Sequence, residues 1–206
     1  MVISPTITAS NLTEFNNQLN NVKDFAQKVH LDLMDGVFTT SKSLNIDEIN
    51  NMVVPFDAHI MYLNPEEILD QVLALKPITI VVQFEANVNH QELTSKLKAN
   101  AIKSSLAILQ QTSVDQIKSV INLYDQVLIF SGNLGYQGGT ADLSLLSKAR
   151  EIRSISNVQI AWDGGINAEN IKSLADGGVE VFNVGAYIQD SANAKLSYQS
   201  LLNKIN

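Results

Sequence analysis

The feature that most constrains this chain is a regular alternation. Short strand-like apolar runs are separated by longer amphipathic stretches, and the unit recurs eight times along the sequence. The candidate strands are residues 2–7, 28–34, 54–61, 79–85, 104–108, 126–131, 158–163 and 180–184. The stretches between them carry helix signals. Asn64-Pro65 opens PEEILDQVLAL, with proline in the first turn and acids behind it. Ser113 precedes VDQIKSVINL, and Asn167 precedes AENIKSLA, which stops at Gly177-Gly178. Strand–helix alternation at roughly 25 residues per unit reads as repeated βαβ units with a parallel sheet. Eight units favour closure. The expected fold is α/β, a single (β/α)8 TIM barrel over residues 1–206, near the short end for that architecture.

Composition narrows the chemistry. There is no cysteine, so disulfides and thiolate metal sites are excluded, and any metal must sit on His, Asp or Glu. The net charge of −7 makes nucleic acid and anionic membranes poor partners. No apolar run approaches the ~20 residues that span a bilayer. The opening MVISPTITASNL lacks the pattern of a secretory signal, so a cytoplasmic location is expected. The only arginines are Arg150 and Arg153, both in one helical stretch. An arginine clamp on a phosphate is therefore not expected, and backbone N–H groups would have to hold such a group.

In a barrel of this kind the active site lies at the C-terminal ends of the strands. The second strand reads KVHLDLMDG. Side chains alternate along a strand, so His30, Asp32 and Met34 share one face and Leu31 and Leu33 the other. A His and an Asp facing inward are costly unless paired with each other or bound to a metal, and this strand alone leaves both readings open. The third strand, VPFDAHIMY, repeats the layout with His59 and Met61, and two such histidines on adjacent strands tilt the balance toward a metal. Asp57 lies deeper and reads as structural. The seventh strand ends WDGGIN. Asp163 closes it, and Gly164-Gly165 would let a ligand approach the backbone, with a helix N-terminus behind to favour an anion. A plain turn is the alternative.

Gly185-Ala186 after the eighth strand can add backbone N–H groups, since the loops after strands seven and eight often form phosphate sites in this class. Gly132, Gly135, Gly138 and Gly139 make the loop after strand six long and flexible, either a cover for a substrate or a simple connection. His90 precedes a helix and reads as solvent-exposed.

HLDLMDG, DAHIM and WDGG, in this order, resemble the signature segments of the ribulose-phosphate 3-epimerase family. ISPTITASNL resembles that family's first strand and VGAYI its last phosphate-binding strand end, so the likeness runs the length of the chain. The resemblance implies one divalent metal ion, Zn, Fe(II) or Mn, on His30, Asp32, His59 and Asp163. It implies that Asp32 and Asp163 are also the catalytic acid/base pair. Substrate contacts would come from Thr6, Met34, Met61, Gly135, Gly138, Gly164, Gly165, Gly185 and Ala186. The partner would be a small sugar phosphate, and the protein a homo-oligomer.

The chain departs from the family pattern in the loops. Thr6 replaces a serine, Phe130 stands for a third methionine, and Gln83-Phe84-Glu85 replaces His-x-Glu. The loop after strand six reads NLGYQGG without the family's proline.

The implied reaction is epimerisation at C3 of a ketose phosphate, D-ribulose 5-phosphate to D-xylulose 5-phosphate. A ketohexose phosphate such as D-allulose 6-phosphate and a non-catalytic phosphosugar binder are the alternatives. A barrel decarboxylase or aldolase would want an Asp-x-Lys-x-x-Asp arrangement, where this chain has His30-Leu31-Asp32.

Overall fold

The computed structural model describes residues 1–49, 52–136 and 138–205. Eight parallel strands close on themselves in sequence order: β1 (Val2–Ile7), β2 (Val29–Met34), β3 (Phe56–Met61), β4 (Thr79–Gln83), β5 (Lys103–Ile108), β6 (Gln126–Phe130), β7 (Gln159–Asp163) and β8 (Val181–Val184). β8 pairs back onto β1. The expected (β/α)8 barrel is therefore the observed fold.

Several strands are shorter than the apolar runs suggest. The third begins at Phe56, after Pro55, which has no N–H to offer a ladder. The fourth ends at Gln83 because Phe84 and Glu85 already turn away.

The strands face two different environments. Their outward residues, among them Leu31, Leu33, Ala58, Ile60, Trp162 and Phe182, pack under the helices in the main core. Helix α1 (Leu12–Val22) shows how: Phe15, Leu19 and Val22 recur at spacings of four and three, form one stripe, and are buried. Asn11 caps this helix by accepting from the Glu14 N–H at 3.0 Å. Each such aliphatic side chain contributes about 1.5–3 kcal/mol by leaving water.

The inward residues divide by side. Val81, Ala107, Leu128, Phe130, Ala161 and Val181 fill one part of the barrel as a small apolar cluster. Ser4, Thr6, His30, His59, Gln83 and Asn183, all buried, fill the other.

Below them polar groups close the barrel floor. The Ser105 hydroxyl donates to Gln126 Oε1 at 2.9 Å, and Gln126 Nε2 to Gln159 Oε1 at 3.0 Å. Asp57 forms an ion pair with Lys28, which bears out its structural reading.

The helices are more broken than expected. PEEILDQVLAL forms one 3-10 turn (Pro65–Glu67) and a short α2 (Leu69–Ala74), interrupted where Ile68 leaves helical geometry. Residues 114–123 split into α4 (Val114–Ile117) and a 3-10 turn (Ile121–Leu123) around β-branched Val120 and Ile121. Between these two stretches runs α3 (His90–Ala99).

His90 corrects an expectation of exposure. It is half-buried, bonded through Nδ1 to the Tyr124 hydroxyl at 2.6 Å and stacked on Phe84. Burial pushes its pKa down.

The Lys28–Asp57 pair gives a stability test. Removing one partner of a buried pair leaves an uncompensated charge. Lys28→Met should lower stability by about 3 kcal/mol, a fall of roughly 6–12 °C in the thermal midpoint. Adding Asp57→Leu should recover most of the loss in calorimetry.

Candidate active site and metal centre

A cavity of about 320 Å³ opens at the C-terminal mouth of the barrel, within the size range of small-molecule sites. Strand register assembles its floor. Asp32 stands opposite His59 between β2 and β3, and Thr6 opposite His30 between β1 and β2. Asp163, the last residue of β7, stands opposite Asn183 of β8. His30, Asp32, His59 and Asp163 each bring one donor atom to a common point, all four within 4.8 Å of one another. The sequence-derived ligand set is thus brought together without exception.

The distances are informative. His30 Nε2 lies 3.2 Å from His59 Nδ1, 3.5 Å from Asp32 Oδ1 and 3.3 Å from Asp163 Oδ2. His59 Nδ1 lies 3.3 Å from Asp32 Oδ1. Four donors at about 2.0–2.1 Å from one tetrahedral ion would stand about 3.3–3.4 Å apart. Asp32 Oδ1 is buried and close to both rings, yet accepts no well-aligned hydrogen bond. The residues therefore fit a small divalent cation by spacing, by donor type and by an unsatisfied carboxylate oxygen.

The surroundings supply orientation. A cation on Nδ1 would leave the ring proton of His59 on Nε2. Gln83 lies there, its amide 2.9 Å away and its Oε1 buried without a partner. A turned amide would then offer its carbonyl oxygen to that N–H. The Thr8 hydroxyl donates to Asp32 Oδ2 at 2.7 Å, and Asn183 Nδ2 lies 3.5 Å from His30 Nε2.

Sequence reading named Gln83 only as a departure from the family pattern and did not single out Thr8 or Asn183. Gln83 and Asn183 carried a signal, since each shares the inward parity of an apolar neighbour, Val81 and Val181. Thr8 lies just past β1, where strand parity no longer helps.

Charge and burial compete at this floor. Burial opposes the charged form of His30, but the hydrogen bond and charge of Asp163, with the charges of Asp32 and Asp57, outweigh it and raise its pKa. Burial likewise raises the Asp32 carboxyl. The close approach of His59, the two imidazole charges and the Thr8 hydroxyl reverse this, leaving it below the usual carboxylate value.

The cavity wall contains Thr6, Met61, Gly135, Gly138, Gly164, Gly165, Gly185 and Ala186, together with Phe130. Met34 is not part of the wall. It is buried beside Met61 in the strand register, with its N–H held by the Ser43 hydroxyl at 3.0 Å. None of the described residues lining the cavity is Lys or Arg. Arg153 instead pairs with Glu180 at 2.7 Å, away from the site.

The adjacent acid of HLDLMDG is structural. Asp35 accepts from the N–H groups of Val37, Phe38 and Leu63 at 2.7–2.8 Å, tying the loop after β2 to β3.

The Gly164-Gly165 turn is also required by packing within the protein. A Cβ on Gly164 would sit 2.4 Å from Gly132 N, and one on Gly165 2.0 Å from Ala141 N. Both glycines also have positive φ. They let the backbone of the loop after β6 press against the turn.

The turn's carbonyls point back into the protein. Gly164 O accepts from the Trp162 indole at 3.1 Å and Gly165 O from Asn170 Nδ2 at 2.8 Å. In a trans peptide the N–H points opposite its carbonyl, so the N–H groups of Gly165 and Ile166 are turned away from those anchors. Both residues line the cavity.

The following helix, α6 (Ile171–Asp176), starts later than expected. Asn167 accepts from the Glu169 and Asn170 N–H groups in a local turn, and Asn170 takes the N-cap position. That helix has six residues and begins well past the glycines, so it adds no anion site there.

The fold and the site together define a closed parallel (β/α)8 barrel with a His/Asp cluster at its mouth that could hold a metal ion. The fold is shared with 3-hexulose-6-phosphate synthase from Salmonella typhimurium, at a TM-score of 0.79 and 13% identity, covering 100% of this chain and 98% of that one. It is shared too with the tryptophan synthase α-subunit of Pyrococcus furiosus, at a TM-score of 0.71 and 17% identity, covering 98% of each chain.

The chain belongs to the ribulose-phosphate 3-epimerase family, whose model matches residues 2–189. Members are carbohydrate epimerases, of the isomerase class. A relative named ribulose-phosphate 3-epimerase from Helicobacter pylori (strain J99) is 25% identical over 213 residues, covering 98% of this chain and 97% of its own. One of the same name from Buchnera aphidicola subsp. Baizongia pistaciae is 26% identical over 224 residues, covering 100% and 97%.

The glycines give a direct test. Gly165→Ala should cost the overpacking penalty of about 1–3 kcal/mol on top of backbone strain. Gly139→Ala has the same sign of φ but open space around it, and should cost only about 1–2 kcal/mol. Thermal unfolding of the two variants should separate them clearly.

Proposed function

We propose that this protein epimerises C3 of D-ribulose 5-phosphate to give D-xylulose 5-phosphate, with Asp32 and Asp163 as its two acid/bases. The observation that carries the reading is the convergence of His30, Asp32, His59 and Asp163 at the floor of the cavity. Inverting a carbon beside a carbonyl requires a proton to leave one face and another to arrive on the opposite face. One group does not easily reach both, so two opposed carboxyl groups are needed. Asp32 and Asp163 come from β2 and β7, on different sides of the barrel, and both line the cavity.

One of the two takes the C3 proton as a carboxylate while the other, protonated, delivers one to the other face. The reverse reaction exchanges their roles. His30, Asp32, His59 and Asp163 would hold the divalent cation. When bound, it acts as a Lewis acid on the substrate carbonyl, worth several kcal/mol of barrier. Met61 and Phe130 form the water-poor wall beside the reacting carbons. In the absence of lysine or arginine, the phosphate is gripped by backbone N–H groups around Gly165-Ile166 and Gly185-Ala186.

The test is solvent exchange. Asp32→Asn and Asp163→Asn should each reduce washout of C3 deuterium from D-ribulose 5-phosphate by at least about 10²-fold. Exchange at wild-type rate in either variant removes that residue from the mechanism. Turnover of a ketohexose phosphate in preference to the pentulose would redirect the substrate assignment. Binding of both without exchange would leave a phosphosugar binder.

Chelation should abolish turnover, and a divalent cation should restore it. Protons compete with the cation for His30. Its raised pKa means the ring stays protonated to a higher pH than an ordinary histidine, so cation affinity should weaken as pH falls through and below neutrality. Titrations of the metal at pH 6 and pH 8 check the sign.

A further inference from the structure

We infer that Thr8 is a positioning residue for Asp32: its hydroxyl holds one carboxylate oxygen so that the other faces the two imidazoles. The inference rests on the reading of Asp32 as both ligand and proton carrier.

The two oxygens of Asp32 have different surroundings. Oδ1 lies 3.5 Å from His30 Nε2 and 3.3 Å from His59 Nδ1, on the side where a cation would sit. Oδ2 accepts from the Thr8 hydroxyl at 2.7 Å, a short charge-assisted bond. A carboxylate turns readily about its last torsion, so a fixed donor on one oxygen decides where the other points. Thr8 and Asp32 both line the cavity.

The donor is itself held. Thr8 follows the last residue of β1, so no strand ladder continues through it. The Gln18 side chain of α1 substitutes for one. Its Oε1 accepts from the Thr8 N–H and its Nε2 donates to the Thr8 carbonyl, both at 2.9 Å. One planar amide thereby fixes both backbone polar groups. Gln189 Nε2 donates to Thr6 O at 3.0 Å and steadies the strand end just before.

A hydroxyl suits this position for a second reason. It donates to Oδ2 when Asp32 is charged and, by turning its hydrogen, accepts when Oδ2 carries the proton. The contact therefore survives both halves of the cycle. A lysine or a backbone N–H could serve only the charged half.

The experiment compares Thr8→Val, which keeps the shape, with Thr8→Ser, which keeps the hydroxyl. Zn²⁺ affinity is read by competition with a chromophoric chelator, alongside kcat, KM and the thermal midpoint. Loss of such an outer partner weakens metal affinity or activity about 10- to 100-fold. Thr8→Val should show that loss in Zn²⁺ affinity and in kcat, with KM and the midpoint little changed. Thr8→Ser should recover most of it. Wild-type Zn²⁺ affinity in Thr8→Val overturns the role. So does an equal defect in Thr8→Ser, which would point to the methyl group. Wild-type protein that takes up no Zn²⁺ defeats the metal reading and the Thr8 role with it. Wild-type uptake with an indifferent Thr8→Val defeats the Thr8 role alone.

Discussion

Everything in this molecule depends on keeping two imidazoles and two carboxylates together out of water. Desolvation opposes every charge in the cluster, and only mutual contact makes the arrangement tolerable. His30 and Asp32 illustrate the balance: burial works against the charged form of each, and the neighbouring groups reverse it in both. The barrel supplies what such a cluster needs, namely rigid backbone. Parallel register places Asp32 against His59 with no loop involved, and Asp163 arrives from the far side as the terminal residue of its strand. A site built on strands holds its geometry better than one built on loops.

The price of a polar interior is met by dividing it. One side of the barrel is filled by small and medium apolar residues, the other by hydroxyls, amides and the cluster itself. The floor is closed by the Ser105–Gln126–Gln159 chain beneath Ala107, Leu128 and Ala161, and by the Lys28–Asp57 pair beneath His59. Chemistry is confined to the mouth, where Asp32 and Asp163 keep 12% and 11% side-chain exposure.

The barrel and the inward face shared by His30, Asp32 and His59 were legible in the sequence because both rest on short-range periodicity, while Asp163 joined the donor set only through the resemblance to the family. Alternation along a single strand puts His30 and Asp32 on one face, and repetition of the layout at His59 pairs adjacent strands. What escaped depends on contacts between distant segments. Thr8 meets Asp32 across 24 positions, and Gln83 meets His59 across 24 as well. The packing role of Gly164 and Gly165 was not visible because their neighbours, Gly132 and Ala141, belong to another loop. The helices broke where β-branched residues and irregular backbone at Ile68 overrode a pattern that looked continuous. Met34 has the parity of Asp32, yet lies outside the cavity wall.

The contact between the turn after β7 and the loop after β6 constrains how this barrel can diverge. Bare backbone leans on bare backbone, with no side chain between to absorb a change in shape. Neither segment can be lengthened, shortened or grafted from another barrel by itself. Reshaping the mouth for a different sugar would require both to be exchanged as one piece, so the two should drift as a single heritable unit.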